Sequence, residues 1–236
     1  MDENLLVVLA SALVAGLVGL VGPRVVAALP EPEPHPDDQV DDGPKVAYAE
    51  IAAVPWLGLW LALGSAAAAV LVASALVEVD QRALVPVWTL FCGVGSWLAY
   101  VDLRTRYLPF ALTAVLHLLA LLLVGVAALV SQDLDLFVRG LVGNAVVFVV
   151  FWLFWRFARG GGLGYGDVRL SAVIGLVLGP LGVQAVLVGS YAGLVLGSLV
   201  AIVALARRRT GRRDHYALGP YLVVGALLGP AAVAWL

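Results

Sequence analysis

Along nearly its whole length the chain is a succession of apolar stretches, most of them near twenty residues long and separated by polar segments. A helix of that length rises about 30 Å, the thickness of the hydrocarbon core of a bilayer. Inside lipid a backbone must satisfy its own hydrogen bonds, which leaves only helices and closed barrels as spanning structures. Barrel strands alternate polar and apolar residues, whereas these stretches are apolar throughout. The expected fold class is therefore all-α, a polytopic membrane protein. Charge agrees, since 13% of the 236 residues are charged where a soluble domain carries about a quarter. The 26 glycines suit helices that pack closely through small residues. Cys92 is the only cysteine, which excludes a disulfide framework and a cysteine-built metal site.

Eight spans are expected, near residues 4–22, 51–77, 83–101, 110–130, 137–156, 168–181, 183–205 and 217–236. The sixth and seventh form one apolar stretch, long enough at about 57 Å for two crossings, and Gly179-Pro180 is the expected break because Gly-Pro ends a helix readily. Two acids precede the first span and Arg24 follows it, the pattern of an uncleaved anchor with its N-terminus outside rather than of a cleaved signal. On that topology only Arg82 and Arg139 of the fourteen basic residues face outward, and the other twelve, "RRRTGRRDH" at 207–215 included, lie on the cytoplasmic side, as the positive-inside rule requires. Merging the sixth and seventh spans would destroy that asymmetry. Both termini are then outside. The organisation expected is an anchor span at 1–28, an acidic Pro-rich cytoplasmic loop at 29–50 and a membrane domain at 51–236. The loop is a solvated linker or, through its acids, a region that steers a basic peptide. Trp97, Tyr100 and Trp155, near span ends, read as interface anchors.

Two carboxylates stand apart from the other fourteen. Asp102 closes the third span and Asp167 opens the sixth, both on the cytoplasmic side. A charged Asp at bilayer depth costs about 2.5–3.5 kcal/mol, so acids tight against spans are functional candidates. Each also has a local explanation: Asp102 beside Arg104 and Arg106 as an ion-pair partner, Asp167 as a helix N-cap or first-turn acid. As a pair they suit aspartic hydrolysis. Two carboxylates about 5 Å apart repel by roughly 3 kcal/mol at an effective dielectric near 20, enough to keep one proton between them, so that one acts as base and the other as acid. Gly164 and Gly166, around Tyr165, let the backbone approach a substrate strand or the other aspartate loop. "GGGLGYG" lacks the Lys-Ser/Thr ending of a phosphate-binding loop.

The residues resemble those of a known family. "GYGDVRL" (164–170) is similar to the Gly-x-Gly-Asp-x-Lys-Leu motif of the type IV prepilin peptidases. "YVDLRTRYLPFALT" (100–113) resembles their first aspartate segment, and "YALGPYLVVGALLG" (216–229) their terminal Gly-Pro segment, in the same order over Trp56 to Leu236. The resemblance implies a membrane aspartic endopeptidase of the bacterial cytoplasmic membrane that cuts the basic leader from prepilins or pseudopilins at the cytoplasmic face. It implies Asp102 and Asp167 as the catalytic pair, with Gly164, Gly166, Tyr165, Arg169, Pro109, Gly219 and Pro220 supporting the substrate or the loops. Three departures stand out: Arg169 replaces the motif's Lys, Phe110 follows Pro109 where a polar residue is usual, and the first loop has no paired Cys-x-x-Cys. The last points to a peptidase without N-methyltransferase activity.

The rival of like chemistry is an intramembrane protease of the presenilin or signal-peptide-peptidase type, but here the first acid follows Tyr100-Val101 and the end reads Gly-Pro-Tyr-Leu. A rival of another class is a transporter using Asp102 and Asp167 as a proton or cation site. His35, His117 and His215 lack metal-ligand spacing, so no metal, cofactor or nucleic acid is expected, only a peptide substrate and membrane lipids. Nothing in the sequence sets an oligomeric state.

Overall fold

The computed structural model describes residues 2–31, 46–157, 163–206 and 217–236. Most of the acidic loop, His35, Lys45, Arg159, the glycines at 160–162 and the cluster "RRRTGRRDH" lie outside the described residues. The described chain forms helices α1 (Glu3–Ala27), α2 (Tyr48–Ala52), α3 (Leu57–Glu78), α4 (Val85–Thr105), α5 (Phe110–Ser131), α6 (Leu134–Phe157), α7 (Tyr165–Leu178), α8 (Val183–Ala206) and α9 (Gly219–Trp235). Short 3-10 turns at Arg82–Leu84 and Gly179–Leu181 precede α4 and follow α7. Among the described residues there is no strand, and the protein is an all-α polytopic membrane protein.

Eight apolar helices occupy the expected positions, but six of them are long and apolar enough to cross a bilayer: α1, α3, α4 with its leading turn, α5, α6 and α8. Helix α9 has 17 residues and α7 only 14, a rise of about 21 Å for the latter. The reason lies in what α7 touches. From Asp167 to Leu178 every residue except Arg169 is buried, so α7 is enclosed by protein and need not match the thickness of the lipid. The expected break is present, since α7 ends at Leu178, directly before Gly179-Pro180, and α8 starts at Val183. Gly179 keeps helical angles (φ −51, ψ −44), and the chain reverses at Gly182, whose φ of 96 lies in the left-handed region that glycine enters freely. The start of the second expected span differs too, because 48–52 is a separate short helix and α3 begins only after Trp56, at φ 61.

Helices pack as antiparallel pairs, α1 with α3, α6 with α7 and α8 with α9. Helix α4 touches α1, α3, α5 and α9, and α7 touches α5, α6, α8 and α9, so the two acid-bearing helices are the inner members of the bundle. In lipid, apolar contact gives helices no advantage over lipid tails, and close backbone approach does the work. Gly143 of α6 faces Gly175 of α7, and a Cβ on either would strike the partner's backbone; Gly193 of α8 and Gly225 of α9 meet in the same way. Polar contacts tie α1 and α3 to α4, with Ser11 Oγ 2.7 Å from Thr89 Oγ1 and Ser65 Oγ 2.8 Å from Ser96 Oγ. Trp97 corrects an expectation: it is not an interface anchor but lies 8% exposed, its ring against Gly22 of α1. Tyr100 likewise faces protein, donating its hydroxyl to the Ile51 carbonyl at 2.8 Å.

The described arginines sort to the two ends of the bundle. Arg82 lies 3.9 Å from Glu3, and Arg139 lies 3.2 Å from Asp133, at the end where α1, α4 and α6 begin. Arg24, Arg104, Arg106, Arg156 and Arg169 lie at the opposite end, with both aspartates.

Candidate active site

Asp102 sits in the last turn of α4, 4% exposed. The helix stops at Arg106, whose left-handed backbone (φ 55) lets its N–H reach the Asp102 carbonyl at 2.7 Å. The chain then turns through Leu108 to Pro109, which caps α5 and accepts from both the amide and the hydroxyl of Thr113. The Asp102 carboxylate points at the start of α9, where Oδ2 accepts from the Gly219 N–H at 2.8 Å. A Cβ on Gly219 would stand 2.8 Å from that oxygen and 3.2 Å from Cγ, so a side chain there collides with the acid. Pro220 occupies the first turn of α9, where the N–H it lacks has no intrahelical partner anyway.

Asp167 is in the first turn of α7, 5% exposed, and its Oδ2 accepts from the Gly164 N–H at 3.1 Å. The local expectation of a first-turn acid holds, yet a solvated helix acid would not be buried, and Oδ1 is buried without a hydrogen-bond partner. Gly166 explains how α7 reaches the other acid. Its Cβ position lies 2.9 Å from Leu108 Cβ, so the first turn of α7 rests on the very loop that leaves Asp102. Gly164 has looser surroundings, its nearest foreign atom being Asp167 Oδ2 at 3.4 Å. The two acids, distant in sequence, are thus buried on touching segments at one end of the bundle. Among the described residues neither joins an ion pair, so Asp102 does not take Arg104 or Arg106 as a partner.

Arg169 and Phe110, two residues that depart from the family pattern, meet in space. The Arg169 guanidinium carbon lies 5.0 Å from the Phe110 ring centroid and 5.4 Å from that of Tyr165, within cation–π range of both. Tyr165 in turn packs its ring 5.1 Å from Trp155 of α6. A lysine would present a compact charge there, whereas the flat guanidinium stacks, and Phe110 supplies a face for it.

Several members of the site escape a linear reading: the Gly219 amide on Asp102, Leu108 under Gly166, and the Phe110–Arg169 stack. A further one is Asn144 of α6, whose side-chain nitrogen is 2.8 Å from both His117 Nε2 of α5 and the Ala172 carbonyl of α7. A lone Asn in an apolar span was the available signal. Among the described residues no three His, Cys, Asp or Glu side chains converge as a metal site would need. Two buried carboxylates with one unpartnered oxygen can hold and move a proton, which is what general acid–base chemistry requires.

Residues 89–205 match the model of the type IV leader peptidase family. The chain is similar to a prepilin leader peptidase/N-methyltransferase of Escherichia coli (strain K12), 36% identical over 148 residues that make up 62% of each chain. It is 32% identical over 133 residues to the protein of that name in Pectobacterium carotovorum subsp. carotovorum, covering 56% of this chain and 46% of that one. With that of Bacillus subtilis (strain 168) it shares 30% identity over 102 residues, 43% of this chain and 40% of the relative. The chain thus spans roughly half the length of these relatives. No solved structure matches it.

Proposed function

We propose, from the match of residues 89–205 to the type IV leader peptidase family, that the chain is a membrane aspartic endopeptidase acting on prepilins or pseudopilins. The observation that carries the proposal is that Asp102 and Asp167 are both buried at one end of the bundle, where the first turn of α7 rests on Leu108 of the loop that follows Asp102. Each uses one oxygen on a single backbone N–H, and Asp167 Oδ1 has no partner. That supports a dyad sharing one proton rather than two fully ionised acids, since two like charges buried in one site resist double ionisation.

In the reaction the ionised carboxylate takes a proton from water as the water oxygen attacks the scissile carbonyl carbon. The other carboxyl gives its proton to the carbonyl oxygen. The tetrahedral intermediate then collapses: the C–N bond breaks, the amine leaves with the proton first taken from water, and a hydroxyl proton returns to the second carboxylate. Gly219 and Gly164 hold the two side chains in place during these transfers. Arg169, between Phe110 and Tyr165, steadies the first turn of α7.

The proposal places cleavage at the cytoplasmic face, with both termini outside, residues 1–28 as an anchor, 29–50 as a linker and 51–236 as the peptidase unit. It does not extend to methyl transfer. The family resemblance ties that activity to paired cysteines in the first loop, and the only cysteine here, Cys92, is buried in α4. The test is leader cleavage from a prepilin-like peptide by purified protein in vesicles. Wild type should cleave and leave the new N-terminus unmethylated with a labelled methyl donor, and Asp102→Asn and Asp167→Asn should cleave about two to four orders of magnitude more slowly. Wild-type rates from either variant would overturn the assignment, and proton transport by vesicles that do not cleave would favour a transporter.

A further inference from the structure

Between α5, α6 and α7 runs a groove lined by neither Asp102 nor Asp167. Its upper part is a cavity of about 470 Å³ lined by Phe110, Thr113, His117, Asn144, Phe148 and Arg169, among others. Its lower part, about 480 Å³, is bounded by Gly125, Leu129, Leu134 and Phe137. Leu118 and Leu121 line both parts, so the two adjoin along the α5–α6 seam. Leu118, Leu122 and Leu129 are 67%, 61% and 70% exposed, so the groove opens sideways, toward lipid.

Chemistry changes in order down this groove. At the top is the Arg169 guanidinium, in no ion pair among the described residues and with its Nε buried and without a hydrogen-bond partner. About 10 Å further down α5 from Phe110 is His117. The Asn144 amide nitrogen donates to His117 Nε2 and to the Ala172 carbonyl, which assigns the imidazole proton to Nδ1 and leaves it as a donor. Below Leu121 the lining is wholly apolar.

We propose that this groove holds one anionic glycerophospholipid of the surrounding membrane. Its phosphate sits at the Arg169 guanidinium, an ester carbonyl accepts from the His117 Nδ1–H, and one acyl chain lies along the α5–α6 seam. Anion, acceptor and hydrocarbon follow one another in such a lipid in the same order as their partners in the groove. Basic pockets between spanning helices are suited to anionic headgroups. An apolar peptide helix fits less well, because its backbone carbonyls are used internally and it brings no acceptor to His117 and no anion to Arg169.

The test reads lipid by mass, independently of any cleavage. Delipidated full-length protein is offered phosphatidylglycerol or phosphatidylcholine of the same acyl chains and analysed by native mass spectrometry. Wild type should retain one phosphatidylglycerol per chain in preference to phosphatidylcholine. Arg169→Gln should lower phosphatidylglycerol retention by about tenfold, the weight of one charge-assisted contact. Gly125→Leu is a second, independent probe: a Cβ there makes only ordinary contact with the Phe137 ring, at 3.7 Å, so a larger side chain enters the groove at this point, and it should weaken both lipids. Retention in Arg169→Gln and Gly125→Leu equal to wild type, or no lipid retained by wild type, would overturn the proposal. So would a photo-crosslinker at Leu121 that captures the apolar segment of a prepilin-like peptide instead of lipid.

Discussion

Replacing Gly219 by alanine is the sharpest test of how the acids are held. The new methyl carbon would lie 2.8 Å from Asp102 Oδ2, 3.2 Å from Cγ and 3.3 Å from Cβ, all well inside ordinary contact. Two responses are open, and both break the 2.8 Å bond from the Gly219 N–H: the first turn of α9 withdraws, or the Asp102 side chain rotates. A hydrogen bond to a charged group is worth about 1.5–3 kcal/mol, which as transition-state stabilisation corresponds to a loss of roughly 10- to 150-fold in rate. Gly64→Ala in α3 is the matched control, because a Cβ there meets nothing within 4 Å. That change should leave cleavage untouched and alter stability by no more than about 1 kcal/mol, in the favourable direction. The assay is leader processing under kcat and KM conditions, with thermal unfolding of both variants in the same detergent. The expected signature is a fall in kcat for Gly219→Ala with the protein still folded. Wild-type kcat in a folded Gly219→Ala protein would refute the claim that this amide positions Asp102.

Asp102→Asn and Asp167→Asn should each lower cleavage by about two to four orders of magnitude, the usual weight of a general acid or base, while gel filtration still shows folded protein; cleavage above that range would count against the dyad. A double-mutant cycle between Phe110→Leu and Arg169→Met should yield a coupling of about 0.5–2 kcal/mol in unfolding free energy, and strict additivity would deny the stack a role. Asn144→Leu removes the link among α5, α6 and α7, and should destabilise by about 0.6 and at most about 1.7 kcal/mol per lost bond, measured by unfolding in mixed micelles. In a Cys92→Ser background, an impermeant thiol reagent should label a cysteine at the exposed Gln132 in intact cells and one at Leu103, 58% exposed, only after permeabilisation; the reverse pattern would invert the proposed orientation.

Helix positions were legible because lipid dictates them: the length of an apolar run and the charges between runs follow from the thickness and polarity of the bilayer. Hydropathy carries no information about what an apolar helix faces, which is why α7 looked like a short span and proves to be enclosed by protein. The same blindness put Trp97 at an interface when its ring packs on Gly22. At the site, Asp102 and Asp167 were legible as acids against spans, and the motif resemblance paired them. Gly164 and Gly219 were named there as supporting residues, but their amide bonds to the two acids were not legible. The Gly219–Asp102 bond joins residues 117 apart, and a backbone donor leaves no trace in side-chain identity beyond the glycine itself. Phe110 and Arg169 each looked like an isolated departure, although a compensating contact explains both.

The enclosure of α7 bears on what kind of bond the site can reach. Its antiparallel register with α6, set where Gly143 meets Gly175 and Trp155 meets Tyr165, brings Asp167 level with Phe151. Six residues of α6 therefore continue past the acid, about 9 Å of helix, while Asp102 lies within the last turn of α4. The proposed dyad is thus recessed below the end of α6, and Arg104, Arg106 and Arg156 lie further toward that end of their segments. A folded helix entering such a recess would keep its scissile carbonyl in an internal hydrogen bond, out of reach of an acid. An extended segment would not, and a basic leader that leads into an apolar helix has such a segment only at the junction between them. On this geometry the register of cleavage follows from the depth of the dyad relative to the apolar boundary of the substrate. Moving that boundary by one or two residues in a prepilin-like peptide should shift the cut or abolish it, whereas lengthening the leader at its far end should change neither site nor kcat. A cut that ignores the boundary and tracks leader length would show that the recess does not set the register.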